Sequence, residues 1–179
     1  MRYAFTPLRE DDLDLVRGWL LEAHVRRWWE DGVKTPYPDA EIADYRAAIR
    51  GDDPTYRYVA WIDGRRAGML QHYLIADDPD YAEAVALGED AIGVDIFIGE
   101  ADLVGHGHGS SMLRQFLREV AFPFHGVDVC VIGPSVSNVA AIRAYGKAGF
   151  RPLREVTVPG ENEPEYLMRL TRSELTSLQ

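Results

Sequence analysis

Cysteine is almost absent. Cys130 is the only one in 179 residues, so there is no internal disulfide framework and nothing requires an oxidising compartment. It stands in Val127-Asp128-Val129-Cys130-Val131-Ile132, which reads as a buried strand. A small inert thiol is expected there rather than a nucleophile. Long apolar runs are missing too: none approaches the ~20 residues that cross a bilayer, and the segment from Met1 to Pro7 lacks the apolar core of a secretory signal. The expectation is a cytoplasmic protein with no membrane partner. Positive charge is scarce, with 19 Lys+Arg against 29 Asp+Glu and a net charge of −10. That balance argues against a nucleic-acid partner bound by neutralising phosphates. It keeps the chain in solution, and it also suits a small cationic ligand drawn to a negative cleft.

What is present is ordinary globular material. Apolar residues make up 46% and charged residues 27%, which excludes disorder and a fibrous fold. The length fits one domain, 1–179, and no repeat or long linker divides it. Residues 3–8 read as a first strand. A helix over 11–23 follows, with Leu13, Val16 and Leu20 at helical spacing. The segment 24–32, with Trp28 and Trp29 among Arg26, Arg27, Glu30 and Asp31, matches neither period. Asp39 is placed to cap a helix that carries Ile42, Tyr45 and Ile49 on one face and stops before Gly51. A hairpin spans 56–62 and 67–75 around Asp63-Gly64. A short helical stretch over 81–87, a strand over 91–98, a helix through Met112 to Val120 and a strand over 127–132 come next. A helix over 138–148 and a hairpin of 150–158 with 165–170 complete a mixed α/β order around one sheet.

Two segments carry chemistry. Gly105-His106-Gly107-His108-Gly109-Ser110-Ser111 lies between a strand and an amphipathic helix. Glycines there let backbone N–H groups converge on an anion such as a pyrophosphate, with the helix N-terminus adding partial positive charge; a merely flexible turn is the competing reading. No Gly-Lys-Ser/Thr is present, so it is not a Walker motif. His106 and His108 have no third ligand spaced to help them, so no metal site is expected. The second segment is Asn138-x-x-Ala141-x-x-x-Tyr145-x-Lys147-x-Gly149-Phe150.

Strand, glycine-rich turn, helix, strand and this second motif together resemble the GNAT superfamily of acyl-CoA-dependent N-acyltransferases over essentially the whole chain. Val104 stands where the family often has Arg or Gln. Within the superfamily, the segments His24-Val25-Arg26-Arg27-Trp28-Trp29, Gly68-Met69-Leu70-Gln71-His72-Tyr73, Gly93-Val94-Asp95 and Pro134-Ser135-x-Ser137-Asn138 are similar to aminoglycoside 6'-N-acetyltransferases. The resemblance implies an α/β (α+β) single domain whose mixed central sheet, flanked by helices, opens a cleft between its fourth and fifth strands. It implies acetyl-CoA as co-substrate, no metal, and an aminoglycoside amine as the acceptor, the chemistry of antibiotic resistance. Gly133 stands where those enzymes carry an Asp, and the loop 81–89 lacks their tryptophans.

On this reading Asp95 attracts the ammonium group and accepts its proton, or only orients it, and Tyr145 donates to the departing thiolate. Strict alternation puts Asp95 on the face of its strand opposite Ile92, Val94, Ile96 and Ile98. A carboxylate there is either paired structurally or open to a cleft. The cofactor side comprises the backbone of Phe97 or Ile98, the turn His106, Gly107, His108, Gly109 and Ser110, and Asn138 with Tyr145. The acceptor wall comprises Trp28, Trp29, Gln71, Tyr73, Asp80 and Asp95, and one tryptophan of the pair is expected to pack inward. Glu161, Glu163 and Glu165 read as a solvated acidic turn rather than part of that wall. A lysine-like or siderophore-precursor amine as acceptor, or a non-catalytic acyl-CoA sensor, are the competing functions. A monomer and a homodimer are both compatible with the sequence.

Overall fold

The computed structural model describes residues 1–30 and 34–178, so Asp31 and Gly32 of the tryptophan-bearing segment lie outside the described residues. The elements run β1 (Tyr3–Pro7), α1 (Leu13–Leu21), α2 (Ala23–Trp29), α3 (Asp39–Arg50), β2 (Tyr56–Ile62), β3 (Arg65–Leu74) and α4 (Pro79–Val85). They continue with β4 (Ile92–Ile98), α5 (His108–Phe116), a π-helical turn (Leu117–Ala121), α6 (Phe122–His125), β5 (Val129–Ile132), α7 (Val139–Ala148), β6 (Arg151–Val156), β7 (Glu165–Thr171) and α8 (Arg172–Ser177).

Three departures from the sequence reading have local causes. The aperiodic tryptophan segment is helical as α2, a two-turn helix that buries only Val25, so it is too short to print a stripe. Asp39 does not cap α3: Pro38 is the N-cap residue without a side-chain bond, and the Asp39 carboxylate pairs with Arg17. The terminal α8 was not expected, although its signal was present. Thr171 Oγ1 accepts from Glu174 N at 3.1 Å, and a Glu174 oxygen accepts from Thr171 N at 2.9 Å, a capping box written Thr-x-x-Glu.

The strands form one sheet in the order β1-β2-β3-β4-β5-β7-β6, antiparallel except where β4 meets β5. One face packs on α5, the π-turn and α6 through Leu70, Ile92, Val94, Met112, Leu113, Phe116 and Leu117. The other packs on α1 to α3 through Val59, Met69, Phe97, Val16, Leu20 and Tyr45. Both faces are therefore covered, which explains why β4 reads as a nearly continuous apolar run. The parallel pairing covers only Ile92–Cys130 and Gly93–Val131, while β4 runs on to Ile98. Past Gly93 the fourth and fifth strands part, and the sheet splits there. No helix among the described residues is long and apolar enough to cross a membrane. Cys130 is buried, and burial pushes its thiol well above the ordinary range, as expected for an inert side chain.

Candidate active site

Sheet register builds the core of the site. Arg57 on β2, Gln71 on β3 and Asp95 on β4 are successive cross-strand partners, so the three side chains share one face in a row. Gln71 Nε2 donates to Asp95 Oδ2 at 2.8 Å. Arg57 is buried, lies over the Tyr45 ring at 4.7 Å and stands 3.7 Å from Asp53. Burial raises the Asp95 carboxyl above its ordinary value, opposed by the Gln71 bond and by the positive charges of Arg57 and Lys34. Tyr73 lies over the next pair along, where any Cβ on Gly93 would come within 2.4 Å of the Tyr73 ring. Glycine at 93 therefore sets the place of that ring.

This row lines a cavity of about 1020 Å³ that also takes in Trp28, Trp29, Asp80, Asn138 and Tyr145. Ten of the lining residues are Asp or Glu, against Arg27, Lys34 and Arg57, so the cavity is strongly acidic. The tryptophans divide as expected. Trp29 turns inward, edge-on to Phe97 at 4.8 Å, and its Nε1 donates to Tyr45 Oη at 2.8 Å. Trp28 stays 39% exposed under the Arg27 guanidinium. Asp80 lies exposed in the first turn of α4, which Asp78 caps by accepting from Tyr81 N at 3.0 Å. Asn138 accepts from Ala141 N at 3.1 Å, capping α7 and holding its first turn against the cavity. Tyr145 makes no hydrogen bond among the described residues; burial and the nearby Asp95 raise its phenol, which keeps it protonated.

The acidic turn does not stay wholly in solvent. Tyr81 Oη donates to Glu165 Oε2 at 2.9 Å, and burial, aided by the charges of Asp95 and Glu161, lifts this carboxyl to about 8. Glu163 accepts from Ser135 and Ser137, whose hydroxyls hold its pKa down. Only Glu161 and Glu163 are exposed as the sequence suggested; Glu165, expected in solvent, sits partly buried because β7 carries it under Tyr81.

The glycine-rich turn lies away from this cavity, at the N-terminus of α5. Gly105 and Gly107 both have φ of +83°, which a side chain resists, and Gly107 caps α5 without any side-chain bond. His108 folds back on β1, its Nδ1 3.3 Å from Tyr3 Oη, and Ser110 Oγ donates to Ala144 O at 2.8 Å. His106 stays exposed. The side chains of His108 and Ser110 are thus committed elsewhere, and the groups left to meet an anion are the first backbone N–H groups of α5. Among the described residues no three His, Cys, Asp or Glu side chains gather to hold a metal ion.

One expected donor must be corrected. Gly99 N donates to Ala67 O at 2.8 Å and Ile75 N to Ala91 O at 3.0 Å, bracketing the β3–β4 ladder. Odd-numbered residues of β4 therefore bond β3, and the Phe97 N–H is used inside the sheet. Ile96 and Ile98 aim their N–H groups toward β5, which has already parted from them. His24 Nε2 lies 2.9 Å from Ile98 O and holds that carbonyl.

A split sheet beside a glycine-rich helix start is a shape that comparison can test. The family model of the acetyltransferase (GNAT) domain matches residues 9–158. The chain belongs to the GNAT acetyltransferase family. Aminoglycoside N(6')-acetyltransferase type 1 from Klebsiella pneumoniae is 28% identical over 165 residues, 92% of this chain and 81% of that protein. The structure of AAC(6')-Ib with paromomycin and acetyl-CoA superposes with a TM-score of 0.85 at 27% identity, covering 100% of this chain and 98% of the other. That of the same acetyltransferase with coenzyme A and kanamycin gives 0.81 at 27% identity, with 99% of each chain covered. Acetyl-CoA is the co-substrate of GNAT acetyltransferases, and these solved relatives hold acetyl-CoA or coenzyme A.

Sequence reasoning missed Arg57 and Tyr81 in the cavity wall, and it preferred a solvated turn for Glu165 over a place at the negative rim. Arg57 carried a usable signal, the one charged residue inside the strand Tyr56–Ile62. Tyr81 carried none, because only the tertiary meeting of α4 and β7 gives it meaning.

Proposed function

We propose that the chain acetylates a primary amine of an aminoglycoside, at the 6'-amino position, with acetyl-CoA as donor. The observation that carries this reading is the partly buried Asp95 carboxylate in an acidic cavity beside the parting of β4 and β5. The aminoglycoside acetyltransferases among its relatives support it.

An alkylammonium with a pKa near 10.4 must lose a proton before its nitrogen can attack. Asp95 draws the cation in, holds it and takes that proton. Its raised pKa brings the carboxylate closer to this task than an exposed Asp. The N–H groups at the start of α5 would hold the diphosphate, and Asn138 the pantetheine arm. Acetyl-CoA, when bound, supplies the electrophilic thioester carbonyl and a thiolate leaving group. The Ile98 N–H, directed into the gap with that of Ile96, is a main-chain donor available where charge develops on oxygen. Tyr145, neutral and without a hydrogen bond among the described residues, keeps a proton at Oη for the departing sulfur. Trp28, Gln71, Tyr73 and Asp80 form the rest of the acceptor wall, through stacking on sugar rings and pairing with ammonium groups.

The test is thiol release from acetyl-CoA by the purified protein with kanamycin, tobramycin and lysine-type amines. Release with the aminoglycosides, and a product acetylated at N6', is the expected result. Release confined to lysine-type amines overturns the acceptor, and no release with any amine overturns the enzyme.

A further inference from the structure

We propose that Glu165 is a second ammonium-binding carboxylate of the acceptor site, set in place by the missing side chain at Gly133. The inference rests on the aminoglycoside reading and deepens it: the acceptor must carry at least two ammonium groups, one at Asp95 and another at Glu165.

The geometry is specific. A Cβ built on Gly133 would lie 1.9 Å from Glu165 Oε2 and 3.2 Å from Tyr81 Oη. The Glu165 carboxylate thus occupies the space that any side chain at 133 would fill, having crossed to it from β7. Gly133, Tyr81 and Glu165 all line the cavity that holds Asp95. Tyr81 fixes one carboxylate oxygen at 2.9 Å, while Oε1 accepts no hydrogen bond among the described residues. The backbone is anchored as well, because Ser135 forms an isolated bridge with Glu165 and Tyr166 N donates to Pro134 O at 2.7 Å. A carboxylate this well aimed is a positioned group, not a solvated one.

Among the described residues no cation acts on it. The charged groups that act on it, Asp95 and Glu161, are both anionic and hold its protonated form in place. A cation placed beside it reverses that balance and draws the proton off. The same cation offsets the repulsion that Asp95 exerts on Glu165 once it is ionised. A monoamine held at Asp95 leaves Glu165 unpaired, whereas a diamino sugar satisfies both, so Glu165 selects for the number of ammonium groups.

The experiment compares wild type with Glu165→Gln, which keeps the shape of the side chain, in steady-state kinetics. Kanamycin and a simple primary monoamine serve as acceptors. The expected result is a KM for kanamycin raised about 10- to 100-fold, the loss of one charge-assisted hydrogen bond. KM for the monoamine and for acetyl-CoA stays where it was. The double variant Gly133→Asp with Glu165→Ala, which supplies a carboxylate to the same space from residue 133 instead of residue 165, recovers much of the lost affinity. Unchanged kanamycin KM in Glu165→Gln, or an equal rise for both amines, overturns the role of Glu165 while leaving the acetyltransferase reading intact. Absence of turnover by the wild type with every acceptor overturns both.

Discussion

Asp95 is held by opposing influences that mutation can separate. Burial raises its pKa, and the Gln71 hydrogen bond lowers it by favouring the ionised form. Gln71→Leu removes that donor and leaves the burial, so the carboxyl must rise further. The acid limb of kcat/KM, which marks ionisation of the free enzyme's base, then moves to higher pH by about one unit. A profile that stays in place, or moves to lower pH, would show that Asp95 is not the titrating base. Asp95→Asn removes the base altogether. We expect turnover to fall by about 10²- to 10⁴-fold with acetyl-CoA affinity unchanged, read from thiol release and a binding titration. Equal loss of both would point to a structural carboxylate instead.

At the scale of elements, the start of α5 is decided by backbone conformation rather than by side chains. Gly107 sits at φ +83° with nothing within 4 Å of its Cβ position, so the single methyl of Gly107→Ala meets no clash and suffers only the left-handed backbone. That costs about 1–2 kcal/mol, or roughly 2–8 °C of Tm in a chain this size. Because the turn must also present its N–H groups, KM for acetyl-CoA should rise while KM for the acceptor holds. A thermal melt together with the two KM values checks this, and a variant with weakened acceptor binding alone would refute it. The turn was legible in the sequence because positive φ at glycine is a local rule of conformation, and the Asn138 cap of α7 obeys a local rule as well. The row Arg57–Gln71–Asp95 was not. Counting back from Asp63-Gly64, Ile62 faces Arg65 and Trp61 faces Arg66, and the same register would set Arg57 against Leu70. A bulge between Ala60 and Trp61 shifts the pairing by one residue and brings Arg57 opposite Gln71. No turn rule announces that extra residue. The parting of β4 from β5 was legible only through resemblance, since it depends on where β5 ends relative to β4.

For the molecule as a whole, charge and site point the same way. The net charge of −10 is concentrated where it acts, on a cavity whose carboxylates far outnumber Arg27, Lys34 and Arg57. A polycationic acceptor gains from this field both close to the wall and at a distance, while acetyl-CoA, an anion, is repelled and relies on the short-range N–H groups of α5. Salt separates the two. The screening length falls from about 10 Å at 0.1 M to about 3 Å at 1 M, so attraction across a wide cavity fades while contact pairs persist. Raising NaCl over that range should therefore increase KM for kanamycin by about tenfold or more, a loss of roughly 1.4 kcal/mol in binding. KM for acetyl-CoA should stay level or fall, because its repulsion is screened as well. The turnover number should change little, since Asp95 and its ammonium meet in contact, where screening is weakest. Steady-state kinetics at several salt concentrations, with each substrate varied in turn, reads all three. If KM for kanamycin were flat across the series, the acidic wall would exert no long-range attraction, and acceptor binding would have to rest on contact pairs and on stacking against Trp28 and Tyr73.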